Sequence, residues 1–113
     1  MSKTIKLFDS STGEIPELSI VIPTYKRNSD LQRALKSAIN QDTKHKYEVI
    51  VLSNDPDFEY EFLKPIILNK KNVFLYKNSE NIGMVGNINT VFSLAKANLV
   101  SYLHDDDMLT ERF

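Results

Sequence analysis

The chain lacks the residues that several classes of protein require. Its 113 residues include no cysteine, which excludes disulfide bonds, thiolate metal sites and a cysteine nucleophile. No apolar run is long enough to span a bilayer, so we expect no transmembrane segment in this chain. No long apolar run follows the first six residues either, which argues against a secretory signal.

Glycine and net charge are also scarce. The chain has three glycines, and none forms a Gly-x-x-x-x-Gly-Lys or Gly-x-Gly-x-x-Gly loop after the first predicted strand, which argues against a P-loop enzyme or an ordinary dinucleotide-binding domain. The 14 basic and 15 acidic residues leave a net charge of −1. We therefore expect no nucleic acid partner, and any phosphate must be recognised by local groups.

Apolar runs alternate with segments of helical periodicity along most of the chain. The length allows one domain at most. Residues 1–17 are polar and predict a loosely attached leader. Strands are predicted at 18–22, 47–52, 73–76 and 99–103, and helices at about 28–40 and 84–95, while Pro65 should kink or split a helix within 57–70. This order predicts an α/β fold with a Rossmann-like parallel sheet and helices on both faces.

Polar residues cluster after three of the predicted strands, at 23–27, 53–55 and 104–107. Because ligands bind at the carboxyl ends of parallel strands, these clusters should converge on one site. Lys26 and Arg27 supply cations, and the consecutive carboxylates Asp105, Asp106 and Asp107 supply the oxygen ligands that Mg²⁺ or Mn²⁺ prefers. Each cluster alone is also typical of a solvated turn or a helix cap, so their shared position carries the argument.

Four segments in register resemble the successive motifs of family-2 glycosyltransferases of the GT-A fold. These are Ser19 to Arg27, Tyr47 to Asp55, Asn81-Ile82-Gly83 with Asn89 downstream, and Tyr102 to Asp107. The resemblance covers about residues 18–113. It implies transfer of a sugar, with inversion and divalent-metal assistance, from a nucleoside-diphosphate donor, commonly UDP-linked, to a saccharide or lipid-linked acceptor.

The resemblance also implies roles for individual residues. Tyr25 would lie beside the uracil ring, Asp105 would contact the ribose or a metal-bound water, and Asp106 would bind the metal, with Asp107 beside it. The remaining donor-binding residues that it implies are Pro23, Thr24, Arg27, Asn54, Asp55, Asn81 and Gly83.

Two residues depart from the family pattern. Asn54 stands where a base-reading carboxylate is common, and an amide can both donate to and accept from a pyrimidine edge. His104 stands where the first aspartate of the metal motif is frequent. It would be a nitrogen ligand or a polar residue of the rim, and the oxygen preference of Mg²⁺ and Mn²⁺ favours the rim.

The resemblance further predicts that residues 18–113 form the nucleotide-sugar-binding half of a longer GT-A domain, truncated after its DxD-like motif. We therefore expect no catalytic residue in this chain, since the general base would lie beyond Phe113, and we expect a cytoplasmic enzyme that is membrane-peripheral at full length. Two other interpretations remain open. One is a non-catalytic α/β module, and the other is a phosphatase-like or nucleotidyltransferase enzyme, which leaves the motifs at Pro23 and Asn81 unexplained.

Overall fold

A five-stranded sheet organises the part of the chain that the computed structural model describes, residues 3–41 and 43–105. The strands are β1 (Thr4–Asp9), β2 (Leu18–Thr24), β3 (Tyr47–Ser53), β4 (Val73–Asn78) and β5 (Leu99–Tyr102). Their order across the sheet is β1-β4-β3-β2-β5. The four strands from β2 to β5 are mutually parallel, and β1 pairs with β4 in the antiparallel sense.

Helices cover both faces of the sheet, which confirms the predicted α/β class. They are α1 (Asn28–Ile39), α2 (Lys64–Ile67), which follows a 3₁₀ turn at Glu61–Leu63, and α3 (Gly83–Leu94). In β2 every residue is buried, and alternate side chains enter different cores. Ile20 and Ile22 pack with α1 and α2, whereas Val21 packs with Val91 of α3. A strand buried on both faces reads as a continuous apolar run, which explains why β2 was visible in the sequence.

The amino-terminal segment differs from the loosely attached leader that the sequence predicted. Thr4–Asp9 forms the edge strand β1, and its pairing with β4 shifts register between Lys6 and Phe8. Leu7 and Phe8 pack against the main core. The sequence of this segment is polar because an edge strand keeps much of its surface in water. Two partly buried apolar residues are enough to attach it to the core. The sheet is therefore mixed rather than wholly parallel.

An ion pair stabilises this edge strand. Lys6 Nζ lies 2.8 Å from Asp9 Oδ2, and the Ser11 backbone N–H donates to Asp9 Oδ1 at 2.8 Å. The hydrogen bond from Lys6, followed by those from Ser11, holds the pKa of the Asp9 carboxyl well below its ordinary value of 3.8.

Two prolines mark where the predicted boundaries succeed and fail. Pro65 lies in the first turn of α2, directly after the 3₁₀ turn, so the predicted split of this segment is confirmed. Pro23, expected to end the first strand, lies inside β2, opposite Leu52 of β3. Pairing with β5 ends at Val21, so no ladder partner on that side requires an N–H from Pro23.

Candidate active site

The carboxyl ends of the parallel strands and the amino-terminal end of α3 surround a cavity of about 390 Å³. Three strand ends contribute to it, as the polar clusters of the sequence predicted. Its walls combine backbone, amide, aromatic and carboxylate groups. The lining residues are Pro23, Thr24, Tyr25, Arg27, Asn54, Asn81, Gly83, Met84, Asn87, Ile88, Tyr102, His104 and Asp105.

Thr24 joins the three strand ends. It is the last residue of β2 and is buried. Its Oγ1 donates to Oδ2 of Asp105 at 2.8 Å, and its carbonyl accepts from the backbone N–H of Asn54 at 2.9 Å. The carboxylate that follows β5 is therefore positioned from β2, while the loop after β3 is held from the same residue.

The loop between β2 and α1 supplies an aromatic ring and cations at the rim of the cavity. Tyr25 is 42% exposed, with Lys26 Nζ 5.3 Å from its ring centroid. Lys26 adopts a positive φ of 53°, which turns the chain into α1. Arg27 lines the cavity, and its Nη1 lies 3.9 Å from Asp30 Oδ2. An exposed ring beside a guanidinium suits a ligand that carries both a base and phosphates.

The Asn54 side chain makes four hydrogen bonds next to this loop. Its Nδ2 donates to Asn81 Oδ1 at 2.7 Å and to the Gly83 carbonyl at 3.2 Å. Its Oδ1 accepts from Asn78 Nδ2 at 3.1 Å and from the Ile82 backbone N–H at 3.0 Å. An asparagine amide has two N–H donors and two acceptor lone pairs, so the Asn54 side chain is fully used within the protein.

Asn78 and Asn87 extend this network into the core. Asn78 Nδ2 also donates to Asn87 Oδ1 at 2.8 Å, and Asn87 Nδ2 donates to the Leu52 carbonyl at 3.2 Å. Both side chains are nearly inaccessible, as is Asn54. Buried amides need such partners, because an unpaired buried polar group costs about 1–3 kcal/mol. The ends of β3 and β4 are thereby tied to α3.

The predicted donor-binding residues all lie in the described part of the chain, and all of them except Asp55 line the cavity. Its Oδ1 instead accepts from the backbone N–H of Asp57 at 3.0 Å, and its carbonyl accepts from the Phe58 N–H at 3.0 Å. The carboxylate is used in a turn that leads away from the site. The sequence could not separate this role from ligand binding, since aspartate suits both.

Several lining residues were not predicted as binding residues. Met84, Asn87 and Ile88 come from the first turns of α3, at a spacing that places them on one helix face. Tyr102 and His104 also line the cavity, with ring centroids 4.5 Å apart. His104 is exposed, as expected for a rim residue. The helical spacing after Gly83 was the one available signal, but an amphipathic core helix gives the same pattern.

The acidic triplet is described only at its first member. Asp105 lines the cavity, whereas Asp106 and Asp107, the predicted metal ligands, lie outside the described residues. Within residues 3–41 and 43–105, no group of three or more His, Cys, Asp or Glu side chains could hold a metal ion. The oxygen chemistry of Asp105 fits Mg²⁺ or Mn²⁺, and the two carboxylates that follow it in sequence are of the same kind.

Comparison with known families shows to which family the chain belongs. The model of the family described as "Glycosyl transferase family 2" matches residues 19–113. The chain belongs to glycosyl transferase family 2. The matched residues include every strand end that contributes to the cavity, whereas β1 lies outside them.

Two relatives of known activity belong to bacteria. The chain is 33% identical over 100 residues to the poly(ribitol-phosphate) beta-N-acetylglucosaminyltransferase TarP of Staphylococcus aureus, covering 85% of this chain and 30% of TarP. It is 31% identical over 97 residues to the GalNAc(5)-diNAcBac-PP-undecaprenol beta-1,3-glucosyltransferase of Campylobacter jejuni, covering 84% and 31%. The chain therefore spans about a third of the length of these relatives.

Solved structures show the same fold. S. aureus TarS in complex with UDP superposes with a TM-score of 0.72 at 22% identity, covering 85% of this chain and 29% of that one. A mannosyltransferase of Pyrobaculum calidifontis in complex with GDP-Man and Mn²⁺ gives a TM-score of 0.71 at 18% identity, covering 88% and 30%. No helix in the described part of the chain is long and apolar enough to cross a membrane.

Proposed function

We propose that this chain is the donor-binding half of an inverting, metal-assisted glycosyltransferase that uses a UDP-linked sugar. The observation that carries the proposal is the convergence of three strand ends and the first turn of α3 on one cavity. The cavity presents an exposed ring, a guanidinium and a carboxylate, which match the base, the phosphates and the ribose or metal of such a donor. The structural neighbours hold UDP in one case and GDP-Man in the other at nearly equal TM-scores, so the proposal of uridine rests on the family resemblance of the sequence motifs.

We assign the nucleoside to the side of the cavity that the loop after β2 forms. Pro23 and Thr24 make its wall, and the Tyr25 ring packs against the base. Gly83 and Asn81 approach the nucleotide from the opposite side, where the absence of a side chain at Gly83 leaves room for the ligand. Arg27 pairs with the phosphates from the rim.

We assign the metal to the acidic triplet. Asp106 and Asp107 would hold Mn²⁺ or Mg²⁺, and Asp105, fixed by its hydrogen bond from Thr24, would face the ribose or a metal-bound water. A divalent cation, when bound, neutralises charge on the departing nucleoside diphosphate. The hydrogen bond from Thr24 to Asp105 joins the ends of β2 and β5, so it fixes the carboxylate with which the acidic triplet begins.

Acceptor recognition and the general base belong to the part of the enzyme beyond Phe113 in this proposal. The relatives act on a polyol-phosphate polymer and on an undecaprenol-linked saccharide, as their names state. A saccharide or lipid-linked acceptor is therefore the class that we propose, with the full-length enzyme working at the cytoplasmic membrane surface. A base must reach the acceptor hydroxyl, so this chain alone should bind the donor without transferring the sugar.

Nucleotide binding tests the proposal directly. The purified chain is titrated calorimetrically with UDP, CDP, GDP and TDP, each with and without Mn²⁺. Metal-dependent binding, tightest for UDP, is the expected result, whereas no binding of any diphosphate would favour a non-catalytic module. A product assay with UDP-sugars and saccharide acceptors is expected to show no acceptor-dependent glycoside. Formation of such a product would overturn the assignment of the base beyond Phe113.

A further inference from the structure

We propose that Asn54 is a positioning residue that orients Asn81 and the first turn of α3 toward the nucleotide, rather than a contact to the base. The inference rests on the proposed function, because it concerns how the same cavity recognises its nucleotide. It departs from the expectation that the residue at this position reads the base edge.

The Asn54 amide has no hydrogen-bonding position left for a base. All four of its hydrogen-bonding positions are occupied by Asn78, Asn81, Ile82 and Gly83. The residue is 4% exposed. A base edge would have to displace one of these partners, and the hydrogen bond to that partner would be lost. Reading the base through Asn54 would therefore weaken the site that it serves.

The orientation of the amide follows from backbone groups whose polarity is fixed. The Ile82 N–H can only donate, so it requires Oδ1 of Asn54, and the Gly83 carbonyl can only accept, so it requires Nδ2. Asn81 is oriented in the same way, since the Gly83 N–H donates to its Oδ1 at 2.8 Å. An aspartate at position 54 would put a second acceptor opposite both the Asn81 Oδ1 and the Gly83 carbonyl.

Asn81 is the residue through which Asn54 acts. Its Oδ1 accepts from both Asn54 and Gly83, and no described residue accepts from its Nδ2. Asn81 is exposed and lines the cavity. The two N–H groups of that Nδ2 are thus held at the cavity wall as donors. A ligand rich in acceptor oxygens, such as a nucleoside diphosphate, is the class that such a group recognises.

Three possible roles of Asn54 make different predictions for the Asn54→Asp variant. Affinities for UDP and CDP with Mn²⁺ are measured by titration calorimetry, and Tm by differential scanning fluorimetry. Because Asn81 donates to the nucleotide whichever pyrimidine is present, a positioning role predicts that both affinities fall by about tenfold with their ratio unchanged. Asn69→Asp is the matched control, because it adds the same charge at an exposed asparagine away from the cavity, and it should bind like the wild type.

Two results would overturn the positioning role alone. A retained UDP affinity with a changed ratio of UDP to CDP would make Asn54 a base contact. A lower Tm with unchanged affinities would make the network purely structural. A wild-type chain that binds no diphosphate would instead refute the proposed function, and the positioning role with it.

Asn81→Ala tests the inference even if the Asn54→Asp variant does not fold. Asn81 is exposed, so its truncation should leave the fold intact while lowering both affinities equally. The double variant should lose less affinity than the sum of the two single losses, since both changes remove the same oriented donor. Unchanged affinity in Asn81→Ala, or full additivity in the double variant, would overturn the inference.

Discussion

Gly83 offers the sharpest separation between stability and binding in this chain, because the protein contains a second glycine with the same positive φ. Gly83 and Gly13 both have a φ of +82°, and a Cβ built on either would meet nothing within 4 Å. Gly83 lines the cavity at the strand ends, whereas Gly13 lies in the loop between β1 and β2, beside a different cavity. Alanine at either position therefore introduces backbone strain without a steric clash within the protein.

The expected loss of stability follows from that shared geometry. A residue with a Cβ in the left-handed region costs about 1–2 kcal/mol. The reduced entropy of the unfolded chain offsets about 0.4–1 kcal/mol of this. Gly83→Ala and Gly13→Ala should therefore each lower the free energy of unfolding by about 1 kcal/mol, or lower Tm by about 4 °C in a domain of this size. Urea unfolding of the two variants checks the equality.

The two variants should differ in nucleotide affinity. The added methyl group at Gly83 occupies space at the cavity wall, so we expect UDP affinity with Mn²⁺ to fall by about tenfold, on the order of a lost close contact. Gly13→Ala should bind UDP like the wild type in the same calorimetric titration. Equal affinity in both variants would refute the close approach of the nucleotide to Gly83, while a large excess of destabilisation at one position would refute the strain argument.

Three further substitutions test other parts of the proposal. Asp106→Asn should weaken Mn²⁺-dependent UDP binding by about 1–3 kcal/mol with little change in Tm, and equal affinity in calorimetry would show that the metal lies elsewhere. Tyr25→Ala should cost about 0.5–1.5 kcal/mol of uridine affinity without loss of stability, since the ring is 42% exposed; unchanged affinity would remove it from the base site. Asp9→Asn should be less stable than the wild type near neutral pH. The pKa of the Asp9 carboxyl lies below its ordinary 3.8, so the stabilisation that the ionised carboxylate gives is present above that pH and is lost as the pH falls through the folded-state pKa. A difference in the free energy of unfolding between variant and wild type that does not shrink on acidification would contradict this.

The local sequence was sufficient where burial is continuous or periodic. β2 and β3 are buried on both faces, and such strands appear as unbroken apolar runs. Helix α1 presents Leu31, Ala34, Leu35 and Ala38 to the core at helical spacing. Polar clusters after these strands predicted the cavity because parallel strands bring their carboxyl ends to one edge.

The edge strand β1 was missed for the opposite reason. Its stability comes from backbone pairing with β4, about 70 residues away along the chain, and that pairing needs little apolar sequence. Neither its position nor the mixed character of the sheet follows from any local pattern. The register that joins Thr4 to Asn78 exists only once the sheet has formed.

The roles of side chains in the site were likewise predictable only where they depend on local sequence. The sequence by itself determined which chemical groups follow each strand, because residue type and strand order are both local properties. Only the tertiary structure decided which of two adjacent residues, Asn54 or Asp55, lines the cavity. The Asp55 carboxylate accepts a hydrogen bond within its own loop. The Asn54 amide is buried and uses all of its donors and acceptors in hydrogen bonds to four other residues. Hydrogen bonds between residues more than twenty positions apart hold Asn54 in this orientation, and no spacing along the chain encodes them.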